Sequence, residues 1–468
     1  MAHLHISPLI ISSVFIGGIV AVIGLFRPFM GMLVFVVIHF VQPGELISAL
    51  EPFRIELVYG TLLIAILIYR RMSLSGPSLL SDRIIRGATL LLASAVLSVP
   101  FAVWRGGAAS TVIELMKLIA LSLLLTVLVD SQNRLRTMLW CMAAVTAWFA
   151  GSSLLAFARG QFYALNYDWG NLNRAEGMNS IVGGPNELAG ILFALLPLLI
   201  ALLRTTRNIL ARILLVTCGA ASLAAIALTG SRIAMVGLIA MAIYYVFQSK
   251  YKLPTCIACL LIGCLIWHYL PLEYKQRYLT VESYAHGGQL DASNELRLEI
   301  WRAGGKIFLK YPVLGAGAGQ FSTAYGQIVL AGRHARWMNP HNLLIQVACE
   351  LGLVGLAAFA YFLWQIVRGI RFALRGKRER GFELNYQVAV ACSVMFVGVI
   401  ILSLVGHTLY RPYCYLLAGL VAANRNIVYS KLRVRAKLRA ASADKLPQVS
   451  DALEPSLVFV SNKFQGAS

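Results

Sequence analysis

The chain has 468 residues, of which 59% are apolar and 13% are charged, and its mean hydropathy is +0.73. An average soluble domain is roughly 45–50% apolar and about 25% charged, so this composition excludes an ordinary soluble protein. The apolar runs are continuous rather than alternating, which excludes the strand pattern of a porin-like channel. The sequence therefore predicts an all-α integral membrane protein.

The strong positive charge has an explanation within a membrane protein. Lysine and arginine number 41 against 20 aspartate and glutamate residues, which gives a formal net charge of +21. In a soluble protein this excess would suggest a nucleic-acid partner. In a membrane protein it reflects the lysine and arginine of the cytoplasmic loops. We therefore expect membrane lipids around the chain and no nucleic-acid partner.

Thirteen apolar stretches are long enough to span or enter a membrane, since a crossing helix needs roughly 20 apolar residues. Only Arg27 and Pro28 separate the first two stretches, so we expect a polytopic bundle of 12 or 13 transmembrane helices. The stretches lie near residues 7–26, 28–41, 55–69, 84–103, 110–129, 135–158, 186–203, 209–229, 232–248, 254–270, 342–366, 387–406 and 411–424.

Basic clusters orient the predicted bundle. Residues 368–380 and 425–439 follow two of the last spans and are rich in lysine and arginine, so we expect both to be cytoplasmic. Counting back along the spans places a shorter polar segment, 159–185, and a longer one, 271–340, on the periplasmic side. The side of the N-terminus stays open, because the first stretch can span the membrane or re-enter it.

The chain is predicted to form one transmembrane domain over residues 1–440. Residues 441–468 are rich in Ser, Ala, Lys and Asp, and we expect a disordered cytoplasmic tail there. A polar segment as long as 271–340 usually has a function or secondary structure of its own. Its pattern predicts a helix from about residue 294 to 310.

Charged side chains at the edges of membrane spans are costly, which makes them candidates for function. Arg232 begins one span at its outer end, His341 begins another at the same face, and Arg297 lies on the predicted external helix. We expect these three side chains to converge at the outer membrane boundary. An arginine at a span end also commonly anchors the helix at lipid headgroups. Convergence of the three side chains would favour a functional site over such anchoring.

Two arginines and a histidine suit transfer from a diphosphate leaving group. Guanidinium groups bind phosphate oxygens through paired hydrogen bonds and stabilise the charge that develops as the bond to the diphosphate breaks. An imidazole can accept the proton of the acceptor hydroxyl. The N-terminus of a helix lowers an imidazole pKa and favours the neutral form that acts as a base.

Other residues near these three have supporting or structural interpretations. Arg333, Arg336 and Asn342 lie close to His341 in the sequence and are auxiliary candidates for the same site. We interpret Glu350, one helical stretch deeper, as a structural hydrogen-bonding residue. The glycine-rich run 315–319 lacks the Lys-Ser/Thr of a phosphate-binding loop, and we interpret it as a flexible turn.

No Asp-x-Asp pair and no His-Glu-x-x-His motif occurs in the sequence. These absences disfavour a metal-dependent nucleotide-sugar transferase and a metalloprotease. We therefore expect neither a metal nor a cofactor. The eight cysteines lie in or beside apolar runs, and we interpret them as packing residues rather than as metal ligands or disulfides.

Several motifs in order resemble the bacterial O-antigen ligase and polymerase superfamily. The resemblance covers about residues 180–365 by motif and the rest of the chain only by hydropathy. The elements, in chain order, are Leu228-Thr229-Gly230-Ser231-Arg232, Arg297-x-x-x-Trp301, Pro312-x-x-Gly315-x-Gly317 and Pro340-His341-Asn342 leading to Glu350-Leu351-Gly352.

The resemblance implies a GT-C-like glycosyltransferase of the bacterial inner membrane with a periplasmic active site. It would move a glycan from undecaprenyl diphosphate to a lipid A-core acceptor, with His341 as the essential histidine and Arg232 and Arg297 as the essential arginines. A polymerase that uses a second lipid-linked glycan as acceptor is the alternative within the superfamily. A transporter of a lipid-linked anion is less expected, because the candidate cations cluster at one face and no internal repeat occurs.

Overall fold

The computed structural model describes residues 8–73, 81–167, 170–285, 292–329, 338–375 and 381–443. Within these ranges the chain is helical apart from its connecting turns and one two-stranded β-hairpin. The elements are α1 (Pro8–Phe26), α2 (Pro28–Val41), α3 (Pro43–Leu46), α4 (Ile55–Ser73), α5 (Arg83–Ser98), α6 (Arg105–Leu128), α7 (Gln132–Ala158), β1 (Tyr163–Tyr167), β2 (Gly170–Arg174), α8 (Pro185–Thr205), α9 (Ile209–Leu228), α10 (Arg232–Gln248), α11 (Lys252–Tyr269), α12 (Leu272–Ala285), α13 (Ala292–Lys310), α14 (Phe321–Ala324), α15 (Leu343–Leu374), α16 (Glu383–Ser403) and α17 (Pro412–Ala443).

The apolar stretches of the sequence fold into these helices. In the part of the chain that the structure describes, nine helices are long and apolar enough to cross a membrane. They are the helix spanning residues 49–70, then α5 to α9, α11, α15 and α16. The shorter apolar helices are residues 17–26 of α1, α2 and α10. The prediction of a helical multi-pass membrane protein is thereby confirmed, while a total of 12 or 13 spans stays a prediction.

The centre of the bundle is formed by α8 and α16, which are buried along most of their length. Small residues let α10 and α16 approach closely: a Cβ added to Gly398 would lie 2.3 Å from the sulfur of Met241. Such close contacts supply the packing that holds helices together in lipid. By contrast, α11 has no buried residue, as expected of a helix that faces lipid.

Basic residues that the sequence assigned to one side of the membrane meet at one end of the bundle. Arg70 donates to the carbonyl of Phe26 at 3.1 Å, and Arg136 donates to the carbonyl of Thr205 at 3.2 Å. Helix α17 contributes Arg425, which pairs with the carboxylate of Asp82 next to α5. We call this the basic end. The clustering agrees with the predicted topology, whereas its assignment to the cytoplasm stays a prediction.

The opposite end of the bundle carries the two long polar segments. Segment 159–185 holds the antiparallel hairpin β1–β2, which the sequence analysis did not predict. Segment 271–340 holds α12, α13 and α14, and the helix predicted over residues 294–310 is confirmed as α13. The tail predicted to be disordered covers residues 441–468. Its first three residues belong to α17, which ends at Ala443, and residues 444–468 lie outside the described ranges.

The glycine-rich run is a packed element, so its interpretation as a flexible turn is wrong. The backbone N–H of Ala316 donates to the carbonyl of Cys349 at 2.7 Å, and that of Gly317 donates to the carbonyl of Glu350 at 3.0 Å. Gly352 breaks α15 there with a φ of +64°. A Cβ at Gly352 would lie 2.3 Å from the carbonyl oxygen of Val313. Residues 311–320, which we call the glycine loop, are therefore locked into the kink of α15.

Candidate functional site

His341 stands immediately before α15 in an unusual backbone conformation. Its φ is +46°, in the left-handed region that costs a residue other than glycine roughly 1–3 kcal/mol. The next residue offsets this cost, because Asn342 Oδ1 caps α15 by accepting from the N–H groups of Leu344 at 2.9 Å and Ile345 at 3.2 Å. The capped helix start thus holds His341 directly before the first turn of a membrane helix.

Helix α13 lies against the start of α15 and carries Arg297 to His341. Trp301 Nε1 donates to the carbonyl of Pro340, directly before His341, at 3.2 Å. Gly304 lets the helices touch, since a Cβ there would lie 2.7 Å from Ile345 Cγ2. The Arg-x-x-x-Trp and Pro-His elements thus meet in space.

The protonation of His341 is set by this neighbourhood. Burial lowers the pKa of His341, the Arg297 guanidinium lowers it further, and the Glu187 carboxylate acts in the opposite direction. Because the resulting pKa lies below the usual value for histidine, the imidazole is mainly neutral at neutral pH. A neutral imidazole beside a guanidinium is able to accept a proton while the guanidinium holds an anion.

A second histidine lies next to the first. The rings of His341 and His407 are edge to face, with centroids 5.6 Å apart. His407 belongs to the turn between α16 and α17. That turn is fixed to α15 because Asn342 Nδ2 donates to the carbonyl of Leu404 at 3.1 Å and the N–H of Leu409 donates to Gln346 Oε1 at 3.3 Å.

His407 is neutral for physical reasons similar to those for His341. Burial lowers its pKa to about 4, with Arg411 and His341 adding to the decrease and Glu187 opposing it. Its Nδ1 is buried, and no hydrogen-bond partner for it occurs in the described part of the chain. A buried ring nitrogen without a partner costs roughly 1–3 kcal/mol, so this atom marks a place where a ligand group or a water molecule can bind.

The carboxylate of Glu187 acts electrostatically on both histidines and is paired with Arg411. Glu187 lies in the first turn of α8, and its Oε1 accepts from Arg411 Nη2 at 3.1 Å. Arg411 also donates to the carbonyl of Ile181 at 3.3 Å. The side chains of Glu187 and Arg411 are 26% and 22% exposed, so the ion pair remains accessible from the same end of the bundle as His341.

The turn before Arg232 is held by two buried arginines. Arg174 Nε donates to the carbonyl of Thr229 and Arg277 Nε donates to the carbonyl of Gly230, each at 2.6 Å. Both carbonyls follow the C-terminus of α9, where cations are favourable. Arg174 Nη2 also donates to Asn186 Oδ1 at 3.1 Å. Arg232, the first residue of α10, is thus connected through the start of α8 to the ion pair of Glu187.

The structure brings the predicted residues together to different degrees. Arg297 and His341 are electrostatic neighbours, and Arg232 lies on the turn that connects to the same site through α8. Asn342 uses both polar atoms of its amide for structure rather than presenting them to a ligand. Two further candidates, Arg333 and Arg336, lie outside the described residues.

Three residues of the site belong to no motif that the sequence shows. His407 and Arg411 lie in a short turn between the last two helices, and Glu187 lies just inside a span. The only sequence signal was that all three are polar residues at span ends on the side assigned to the periplasm. Among the described residues, no group of three or more His, Cys, Asp or Glu side chains is placed to hold a metal ion.

Comparison with known proteins agrees with the motifs. Residues 217–360 match the family model described as O-antigen ligase. The matched segment contains Arg232, Arg297 and His341 and ends within α15. The match supports the O-antigen ligase superfamily and implies a glycosyl-transfer activity, without separating ligases from polymerases. The comparison with curated proteins found no match to this chain.

Proposed function

We propose that the protein is an O-antigen ligase that transfers a polysaccharide from undecaprenyl diphosphate to a lipid A-core acceptor. The observation that carries the proposal is the neutral, strained His341 beside the Arg297 guanidinium at the start of a membrane helix. The family match over the same residues supports glycosyl transfer as the reaction class. The proposed location is the bacterial inner membrane, with the site on the periplasmic side.

The proposed reaction is a single displacement at the anomeric carbon of the donor glycan. The acceptor hydroxyl oxygen forms the new bond to that carbon, and the bond between the carbon and the diphosphate oxygen breaks. The bonding electrons leave with undecaprenyl diphosphate, and His341 takes the hydroxyl proton. In this mechanism the base must be neutral before the reaction, a state that the lowered pKa of His341 favours.

The two arginines have the proposed role of binding the donor diphosphate. A guanidinium offers paired donors that match phosphate oxygens and stays charged at every physiological pH. Arg297 is close enough to His341 to change its pKa, so a diphosphate held there would lie beside the base. Arg232, on the turn that Arg277 fixes, is proposed to bind the same leaving group from α10.

Reconstitution of the full chain tests this proposal. The purified protein is supplied with undecaprenyl-diphosphate-linked polysaccharide and rough lipopolysaccharide, in excess chelator and without nucleotide. We expect polysaccharide on the lipid A-core and free undecaprenyl diphosphate. Arg232→Ala and Arg297→Ala should lose transfer, and Arg302→Ala, an exposed arginine of α13, should retain it. A longer lipid-linked product with no lipopolysaccharide product would identify a polymerase, and a requirement for magnesium or manganese would contradict the mechanism.

A further inference from the structure

The residues around His341 divide into two chemically different groups. Arg297 is a permanent cation and suits an anionic ligand. Also near the imidazole are a second neutral imidazole, His407, and a carboxylate, Glu187, which is paired with Arg411. Glu187 and Arg411 neutralise each other and His407 is uncharged, so the second group offers no net positive charge to hold the donor diphosphate.

This second group suits a polyhydroxylated ligand. A sugar hydroxyl both donates and accepts hydrogen bonds, so it can donate to the Glu187 carboxylate and pair with either tautomer of the His407 ring. The buried Nδ1 of His407, which has no hydrogen-bond partner in the described ranges, would gain one. Since the two rings are 5.6 Å apart, a hydroxyl bound at His407 would have its neighbouring hydroxyl within reach of His341.

We propose that Glu187 and His407 form the subsite for the acceptor sugar, with Arg411 as the residue that positions the Glu187 carboxylate. This inference rests on the proposed transferase function and adds to it the residues that select the acceptor. The donor diphosphate binds on the arginine side of His341, and the acceptor sugar binds on the side of the Glu187–Arg411 ion pair. The base then lies between the two substrates, where it can take the proton of the attacking hydroxyl.

The test is the effect of substitutions on the two substrates separately. For the purified full chain, the KM for rough lipopolysaccharide is measured at saturating lipid-linked polysaccharide, and the KM for the donor at saturating acceptor. Glu187→Gln and His407→Leu should each raise the acceptor KM roughly 10- to 100-fold, the value of a hydrogen bond to a charged or buried group. The donor KM should change less than about threefold. His407→Gln, which keeps hydrogen-bonding atoms, should recover part of the loss.

Matched controls and a binding measurement complete the experiment. Glu273→Gln and His268→Ala change exposed residues of α12 and α11 and should leave both KM values unchanged. Binding of fluorescent core oligosaccharide, without any donor, should weaken in the Glu187 and His407 variants to the same degree as the KM.

The outcomes distinguish a failure of the proposed transferase function from a failure of the proposed acceptor subsite. If the wild-type protein neither binds the oligosaccharide nor transfers glycan to rough lipopolysaccharide, the proposed function fails and the acceptor subsite with it. If the wild-type protein transfers glycan but the variants bind core oligosaccharide normally, only the acceptor subsite is wrong. Equal changes in the donor and acceptor KM, or a loss that follows the amount of folded protein, would assign these residues to structure and overturn the inference.

Discussion

The phenol of Tyr410 donates a hydrogen bond to Glu350 Oε2 at 2.8 Å. The same carboxylate oxygen accepts from the N–H of Gly319 at 3.0 Å. A single buried carboxylate therefore joins α15, the glycine loop and the turn that carries His407. The prediction that Glu350 is a structural hydrogen-bonding residue is confirmed by these contacts, and its place explains how the site is held together.

Removing the Tyr410 hydroxyl should destabilise the fold. Tyr410→Phe deprives the buried Glu350 carboxylate of a donor, which costs roughly 1–3 kcal/mol. Thermal unfolding of the purified protein in detergent measures the loss. Tyr429→Phe, at an exposed tyrosine of α17, is the control and should unfold like the wild type. Equal unfolding temperatures for both variants would show that the Tyr410 hydrogen bond contributes nothing to stability.

The kink of α15 predicts a severe effect of a small substitution. Gly352→Ala places a Cβ at 2.3 Å from the carbonyl oxygen of Val313, on a backbone with a φ of +64°. Strain and overlap together should cost more than about 2 kcal/mol and reduce the yield of folded protein. Gly305→Ala, where nothing lies within 4 Å of the new Cβ, should fold normally. A wild-type yield and unfolding temperature for Gly352→Ala would argue against the locked kink.

Hydropathy was sufficient to locate the apolar helices, but it did not predict the secondary structure of the polar segments. Each of the 13 apolar stretches lies largely within a helix, because a continuous apolar run in lipid must satisfy its own backbone hydrogen bonds. The β1–β2 hairpin and α12 were not predicted, since neither has an apolar run that marks it. Their positions depend on tertiary contacts, such as the hydrogen bond of 3.0 Å from Tyr278 on α12 to the carbonyl of Ala227 on α9.

The candidate site was predictable only where residues belong to a local motif. Arg297 and His341 follow from their motifs and from the predicted topology. His407 and Glu187 could not be paired with His341 from the sequence, because only the packing of α8, α15 and α16 brings three distant segments together. The glycine loop was likewise not predictable from its own sequence. Its fixed conformation depends on contacts with the kink of α15 at Gly352.

His341 should be required for the chemical step more than for folding. If it is the base, His341→Ala loses roughly 10²–10⁴-fold in transfer rate while the protein still inserts and binds undecaprenyl diphosphate. Alanine keeps a Cβ and is strained at a φ of +46° as histidine is, so the variant should fold about as well as the wild type without gaining stability. The measurement is transfer rate per molecule of folded protein. Near-wild-type activity would remove His341 as the base and leave Arg333, His334 and Arg336, which lie close to it in the sequence, to be tested in its place.

The pH dependence of transfer should report the charge around His341. A base acts when deprotonated, so kcat/KM falls as the pH drops below its pKa, which burial and Arg297 hold below the usual value. Arg297→Gln removes the nearby positive charge and raises the pKa of His341. It should therefore move the acid limb of the profile of kcat/KM against pH to higher pH. Glu187→Gln removes a negative charge and should move the limb to lower pH.

Arg297→Lys separates charge from geometry in the same experiment. The lysine keeps the positive charge, so the acid limb should stay near its wild-type position. The rate should still fall, because an ammonium lacks the planar pair of donors that fits a diphosphate. A limb that stays in place for both Arg297→Gln and Glu187→Gln would mean that His341 does not titrate in the reaction.

The two ends of the bundle make the topology testable. Gln132 donates to the carbonyl of Gly381 at 3.0 Å, and Asn426 donates to Asp82 at 3.1 Å, so residues from four places in the chain meet at the basic end. If the positive-inside rule holds here, that end is cytoplasmic and the end carrying His341 is periplasmic. Alkaline phosphatase inserted into the full chain at Gln289 should then be active, and phosphatase fused after Arg439 should be inactive. The reverse pattern would place His341 in the cytoplasm, away from any periplasmic lipid-linked glycan, and would overturn the proposed function together with the topology.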